Sequence, residues 1–296
     1  MSKTSLTVHI GEARESEQGR FWREFRRHRL AVVSLVLLVL LLLIVVFADF
    51  IVPYDPNSTN AAYAGGRPQP PTAEYALGTD NYGRDYLSRT IVGTRVSMFV
   101  GIVAVLFQLT IGVTLGALSG YLGGWVDNLL MRITDIFLSI PTFFMLLIIA
   151  GILEGTLLGI IFAIGALNWM TVARLVRAEF MSLKQREYVT AAQALGVPGW
   201  RIVVNHLLPN ALAPIIVAAT LAVPNAILTE SALSFLGLGV PPPNASLGKM
   251  LEEAQQFIRT SWWMWIVPGA TISIIVLAFN FVGDGLRDAL DPRLRD

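Results

Sequence analysis

The sequence predicts an all-α integral membrane protein with six transmembrane helices. Three observations carry that prediction: the composition, a series of apolar runs of bilayer length, and basic clusters beside those runs. Of 296 residues, 54% are hydrophobic and 15% charged, and the mean hydropathy is +0.60, which does not suit a surface facing water. A net charge of +1 provides no basic field for nucleic acid. The chain has no cysteine, which removes disulfides, thiolate metal sites and a cysteine nucleophile. His9, His28 and His206 lie outside the apolar runs with no paired-ligand spacing, so no metal site is expected.

The elements follow in order. Segment 1–29 carries Arg20, Arg23, Arg26, Arg27 and Arg29, and the positive-inside rule places it in the cytoplasm. Residues 30–52 form the first span, because about 23 residues rising 1.5 Å each cross a hydrocarbon core of about 30 Å. The run ends at Asp49-Phe50-Ile51-Val52-Pro53 without a signal-peptide cleavage pattern, so it is expected to be retained. Residues 53–96, rich in Pro, Gly, Asn and Tyr, are expected as an external loop; long loops obey the charge rule poorly, so their four arginines do not oppose this.

Residues 97–290 are expected to form a core of five more spans, near 97–119, 129–152, 156–176, 211–236 and 266–286. Six crossings return the tail, 291–296, to the cytoplasm, where Arg287, Arg293 and Arg295 suit it. Between spans four and five, Arg174, Arg177, Lys184, Arg186 and Arg201 then face the same side. The stretch 237–265 is external; it ends in Trp262, Trp263 and Trp265, as an interfacial aromatic belt would.

Polar groups in the spans are costly and mark candidates. Glu230, with Asn225 and the kink candidate Pro224, and Asn280, with Asp284, are candidates for a translocation path, with interhelix bonding as the alternative. Arg132 and Asp135, three apart on one helical face, are placed to pair. Gly112 and Gly116 form a small-xxx-small pair that predicts close helix packing. Segment 180–210 reads as two short helices with a break. Ala191, Ala192 and Ala194 favour helix and offer a low-relief docking surface, Gly196 suits a left-handed cap, and Pro198 suits the start of the next helix. Pro209 is placed to start or kink span five.

That segment resembles the EAA loop of bacterial ABC importer permeases: Glu-Ala-Ala, three residues, Gly, nine residues, a hydrophobic residue, any residue, Leu-Pro. Ala191, Ala192, Gly196, Leu208 and Pro209 match at that spacing. Thr190 stands where the family often has Glu, with Glu187 one turn away, and His206 stands where it often has Ile. Further matches are Leu77-Gly78-Thr79-Asp80 with Gly83-Arg84-Asp85, Ser88-Arg89, Gly93-Thr94-Arg95 and Ser97. So are Gly120-Tyr121 through Asp127, with Arg132 and Asp135-Ile136, then Leu233 through Gly239, and Leu277 through Asn280 with Gly283 through Pro292. From about residue 20 to the end, the chain resembles the C-type permease of the dipeptide/oligopeptide/nickel group, with Leu247 where Trp is usual.

The resemblance implies a type I ABC importer permease fold. It implies a chain that performs no chemistry and holds no cofactor, with ATP and Mg on two partner ATPase subunits. A second, homologous permease subunit, an extracytoplasmic substrate-binding protein and a peptide substrate complete the implied set. Coupling to the ATPases would fall to Glu187, Thr190, Ala191, Ala192, Gly196, Pro198, Leu208 and Pro209. Nickel or glutathione is the alternative cargo. Gly78 to Gly83 has the glycine spacing of a P-loop, but Arg84-Asp85 replaces Lys-Ser/Thr and no buried strand precedes it. An ion-coupled secondary transporter would normally show paired repeats with broken helices; an intramembrane hydrolase would need a nucleophile and base at membrane depth. Neither pattern is found.

Overall fold

The computed structural model describes residues 17–59, 66–153 and 156–290. The expectations for the tail 291–296 and for residues 1–16 with His9 lie outside these. Twelve helices occur among the described residues: α1 (Glu17–Arg27), α2 (Arg29–Val46), α3 (Ala48–Ile51), α4 (Tyr86–Leu122), α5 (Gly124–Ser139), α6 (Thr142–Ile152), α7 (Leu157–Lys184), α8 (Glu187–Ala194), α9 (Gly199–Ile202), α10 (Leu208–Phe235), α11 (Leu247–Ala254) and α12 (Trp262–Leu290). Five runs are long and apolar enough to cross a bilayer: α2, α4, α7, the stretch from α9 through α10, and α12.

The expected third span is not one straight helix. The chain breaks between α5 and α6 with a bend of 85°. Pro141 is the cause: it lacks an N–H and disfavours the helical region at Ile140, which adopts φ −94°, ψ 130°. The pair still makes a crossing, because of how α4 and α7 pack. Ala104 meets Gly165, Gly112 meets Val172, and Gly120 meets Phe180, so the two helices run parallel and the intervening α5–α6 must carry the chain back. With that pair the crossings number six.

The α4–α7 contact is close because its residues are small. A Cβ added at Gly112 would lie 2.7 Å from Val172 Cβ, and one at Gly116 would lie 2.5 Å from the Ala173 carbonyl oxygen. This is the expected small-xxx-small packing, and Gly120 extends the stripe by one turn. α10 packs against both helices of the pair, α12 against α10, and α2 against α12 on the outside. The main core joins Val100, Ala104, Ile160, Ile164, Ile227 and Ile275 from these helices.

α4 begins at Tyr86, well before the expected 97, because Asp85 caps it: its Oδ2 accepts from the Ser88 N–H at 2.8 Å. The same end of the bundle carries α11 and the start of α12. At the opposite end lie α8, α9, the start of α2 and the end of α12, where a Cβ at Gly285 would meet Ala31 and Phe25.

Candidate coupling surface and polar cavity

α8 and α9 sit on the bundle end through their inner faces. Val189 and Ala192 of α8 and Ile202 of α9 are buried in a cluster with Val172, Val176 and Phe180 of α7 and Leu207 before α10. Gly196 holds φ +74°, as its sequence position predicts. Its N–H donates to the Gln193 carbonyl at 3.0 Å, and the Val197 N–H donates to that of Ala192 at 3.1 Å, the paired bonds of a Schellman end. Pro198 then precedes α9, which packs so tightly that a Cβ at Gly199 would lie 2.6 Å from the Tyr121 hydroxyl of α4. A π turn, Val203–Leu207, runs from α9 straight into α10, and Pro209 sits in the first turn of α10.

The outward face carries Glu187, Thr190, Ala191, Gly196 and Pro198, with Pro209 also exposed and Leu208 half-buried against the cluster. Ala192 differs from the expected alanine surface: it points inward, because α8 turns by about 100° per residue and its buried stripe includes Val189 three positions earlier. What alanine counting misses is the apolar relief beside it. Leu195 is 84% exposed, Trp200 64% and Tyr188 44%. The signal was present in the sequence as apolar residues at a helix end whose opposite face was already accounted for.

Ion pairs brace this end. Arg177 of α7 grips Asp127 of α5 with two bonds, Nε–Oδ1 at 2.5 Å and Nη2–Oδ2 at 2.7 Å, while the Ser119 hydroxyl of α4 also donates to Asp127. Asp135 does not pair with Arg132 as expected. It takes Arg174 of α7 at 2.5 Å, a partner from another helix that sequence spacing cannot reveal, and Arg132 is exposed.

Two cavities follow α7 and α10 upward from this end. The lower, about 700 Å³, is lined by Glu179, Arg186, Asn210, Pro214 and Arg287 among others. The upper, about 290 Å³, shares Leu175, Ala218 and Leu221 with it and has polar walls made by Gln108 of α4, Asn168 and Thr171 of α7, and Asn225 and Thr229 of α10. Of the three path candidates, only Asn225 lines a described cavity. Asn280 is half-buried on α12 outside both. Gln108, Asn168, Thr171 and Thr229 escaped notice in the sequence, although Asn168/Thr171 and Asn225/Thr229 repeat at helical spacing and so mark a polar face inside apolar helices.

Glu230, next in sequence to Thr229, is turned away from the cavity and fully buried. Its Oε1 accepts from Ser234 at 2.7 Å and its Oε2 from Ser97 of α4 at 2.9 Å. The Ser97 oxygen in turn accepts from the Leu247 N–H of α11 at 3.2 Å. Glu230 thus ties three helices together. Above it, the residues that resembled a P-loop form a scaffold. Asp80 accepts from the N–H groups of Tyr82 and Arg84 and from Arg84 Nε at 2.5 Å; Arg84 and Arg89 both reach Glu253 of α11. Trp263 Nε1 donates to the Thr79 carbonyl at 3.1 Å, and the Tyr86 hydroxyl to that of Met264. These bonds, with the Arg89–Asp80 ion pair at 3.4 Å, join loop 66–85, α4, α11 and α12.

Comparison with known proteins agrees with this architecture. A family model described as "Binding-protein-dependent transport system inner membrane component" matches residues 112–296. A second, "N-terminal TM domain of oligopeptide transport permease C", matches 18–71. The dipeptide transport system permease protein DppC of Haemophilus influenzae is 41% identical, with 100% of each chain covered. The oligopeptide transport system permease protein OppC of Bacillus subtilis is 43% identical over 92% of this chain and 88% of its own length. The glutathione transport system permease protein GsiD of Pectobacterium atrosepticum is 38% identical over 93% and 91%. Among solved structures, the MetNI methionine ABC transporter in inward facing conformations has a chain that superposes with a TM-score of 0.58 at 21% identity, covering 69% of this chain and 97% of that one, which shows a shared fold.

Proposed function

The chain belongs to the family of binding-protein-dependent transport system inner membrane components, and from that premise we propose that it is a permease subunit importing dipeptides and short oligopeptides. The observation that carries the cargo is the 41% identity, over the whole of both chains, to a dipeptide permease. The relative named for glutathione, itself a tripeptide, makes that molecule the second reading.

The α8 end is the cytoplasmic one, so both ends of the chain lie inside. Arg26, Arg27, Arg29, Lys184, Arg186, Arg201 and Arg287 gather there, as the positive-inside rule requires. At that end two ATPase subunits hold ATP and Mg, and this chain needs no cofactor of its own. Glu187, Thr190, Ala191, Gly196 and Pro198 touch an ATPase directly, while Ala192 and Leu208 fix the element from within and Pro209 starts the helix that receives its motion. A second, homologous permease closes the path from the side, and a binding protein delivers the peptide at the α11 end. When ATP draws the ATPases together, α8 and α9 shift; α9 is continuous with α10, and α10 lines both cavities, so the path opens alternately to either side.

The test is reconstitution with the partner subunits and binding protein, followed by ATP-dependent uptake of labelled di- and oligopeptides, glutathione and nickel. Peptide uptake is expected. Uptake of glutathione or nickel alone would replace the cargo, and ATP-independent uptake by this chain alone would overturn the importer reading.

A further inference from the structure

The upper cavity has a property that helix packing does not account for. Gln108 is 94% buried by side-chain and backbone area, being only 6% exposed, yet its amide makes no hydrogen bond among the described residues and faces the cavity. Amides that glue helices together bond across them. Here Asn168 Nδ2 donates to the Ile164 carbonyl of its own helix at 2.7 Å, and Asn225 Nδ2 to that of Leu221 at 3.1 Å. The Thr171 and Thr229 hydroxyls likewise donate to carbonyls of their own helices, Asn168 and Asn225. Each of these four side chains therefore keeps an oxygen free to accept, each asparagine keeps its second amide N–H, and Gln108 keeps its whole amide.

The walls also hold no ionisable side chain: Glu230 is turned into its serine cluster, and Glu179, Arg186 and Arg287 line only the lower cavity. A wall of free acceptors and free amide N–H donors, with no charge, complements the repeating N–H and C=O groups that all peptides share. It does not complement any particular side chain. At about 290 Å³ the space is just below the usual range of ligand pockets, roughly 300–1,000 Å³, and it shares Leu175, Ala218 and Leu221 with the larger volume below.

We infer that Gln108, Asn168 and Asn225 form a transit site that holds the peptide main chain by hydrogen bonds and is indifferent to side-chain charge. The inference rests on the peptide-import reading and deepens it. Charge indifference is what a permease needs when selection belongs to the protein that delivers the cargo.

The experiment compares the reconstituted wild-type complex with Gln108→Glu and Asn225→Asp, on different helices, in ATP-dependent uptake of labelled Ala-Ala, Ala-Lys and Ala-Glu. Each ratio is normalised to wild type, which cancels the preference of the binding protein. An acid at the site is expected to raise the Ala-Lys to Ala-Glu ratio by about tenfold, equivalent to about 1.4 kcal/mol. An unchanged ratio in an assembled variant overturns the transit site and leaves the importer reading standing. Absence of peptide uptake by the wild type overturns both. If neither acidic variant assembles, Gln108→Leu decides: about a fivefold loss of uptake at saturating binding protein is expected, and undiminished uptake overturns the inference. Water alone in the cavity predicts that last result.

Discussion

The two ends of the bundle use polar chemistry in opposite ways. At the α11 end, Asp80, Arg84, Arg89 and Glu253 are drawn inside and satisfy one another, with Arg89 fully buried. At the α8 end the cluster beneath α8 and α9 is apolar, and Leu195, Trp200 and Tyr188 project outward beside Arg186, Glu187 and Arg201. A run of charges therefore need not lie on an open surface, and an alanine-rich hairpin can carry large exposed apolar side chains. The first end spends its charged groups on holding shape; the second leaves large apolar side chains uncovered, as a surface awaiting a partner does.

The contrast breaks most severely at Arg89. Arg89→Ala leaves Asp80 and Glu253 facing each other with one counter-charge lost from a buried network. A loss of about 3–5 kcal/mol is expected, read as reduced thermal stability of the purified complex; a stable variant would mean that the knot is ornamental. The next effect belongs to the other end. Trp200→Ala with Leu195→Asp is expected to weaken retention of the ATPase subunits by about 30-fold, on the order of 2 kcal/mol, as measured by co-purification. Because both side chains are largely exposed, the fold of the permease itself should change by no more than about 0.5 kcal/mol. Loss of folding in place of binding would erase the distinction between the two ends. The smallest effect is expected at Gly196→Ala. Its φ of +74° makes a Cβ unfavourable by about 1 kcal/mol, although nothing lies within 4 Å to clash with it. Uptake should fall modestly while the outer end keeps its thermal transition.

Length and composition were enough to find the apolar runs, because each is a local property of the chain. The span near 211–236 lies over α10 (Leu208–Phe235), the Gly112/Gly116 packing is present, and Gly196 occupies the left-handed cap. What required the structure was the choice of partner across helices. Asp135 pairs with Arg174 and not with Arg132; Ala192 faces in and Ala191 out; Glu230 closes on Ser97 and Ser234 while Asn225 opens on a cavity. The bend at Pro141 was readable from the proline alone, but hydropathy averaged over the run concealed it.

α4 has 37 residues. At 1.5 Å per residue it is about 55 Å long, which exceeds the roughly 40–45 Å of a bilayer with its headgroups. It holds no proline, whereas α10 carries Pro214 and Pro224 in its interior. One end is clamped by the Asp85 cap and the charged knot, and the other meets α9 at Tyr121. The chain thus contains a stiff strut that touches water on both sides of the membrane, set beside a helix with two built-in points of give.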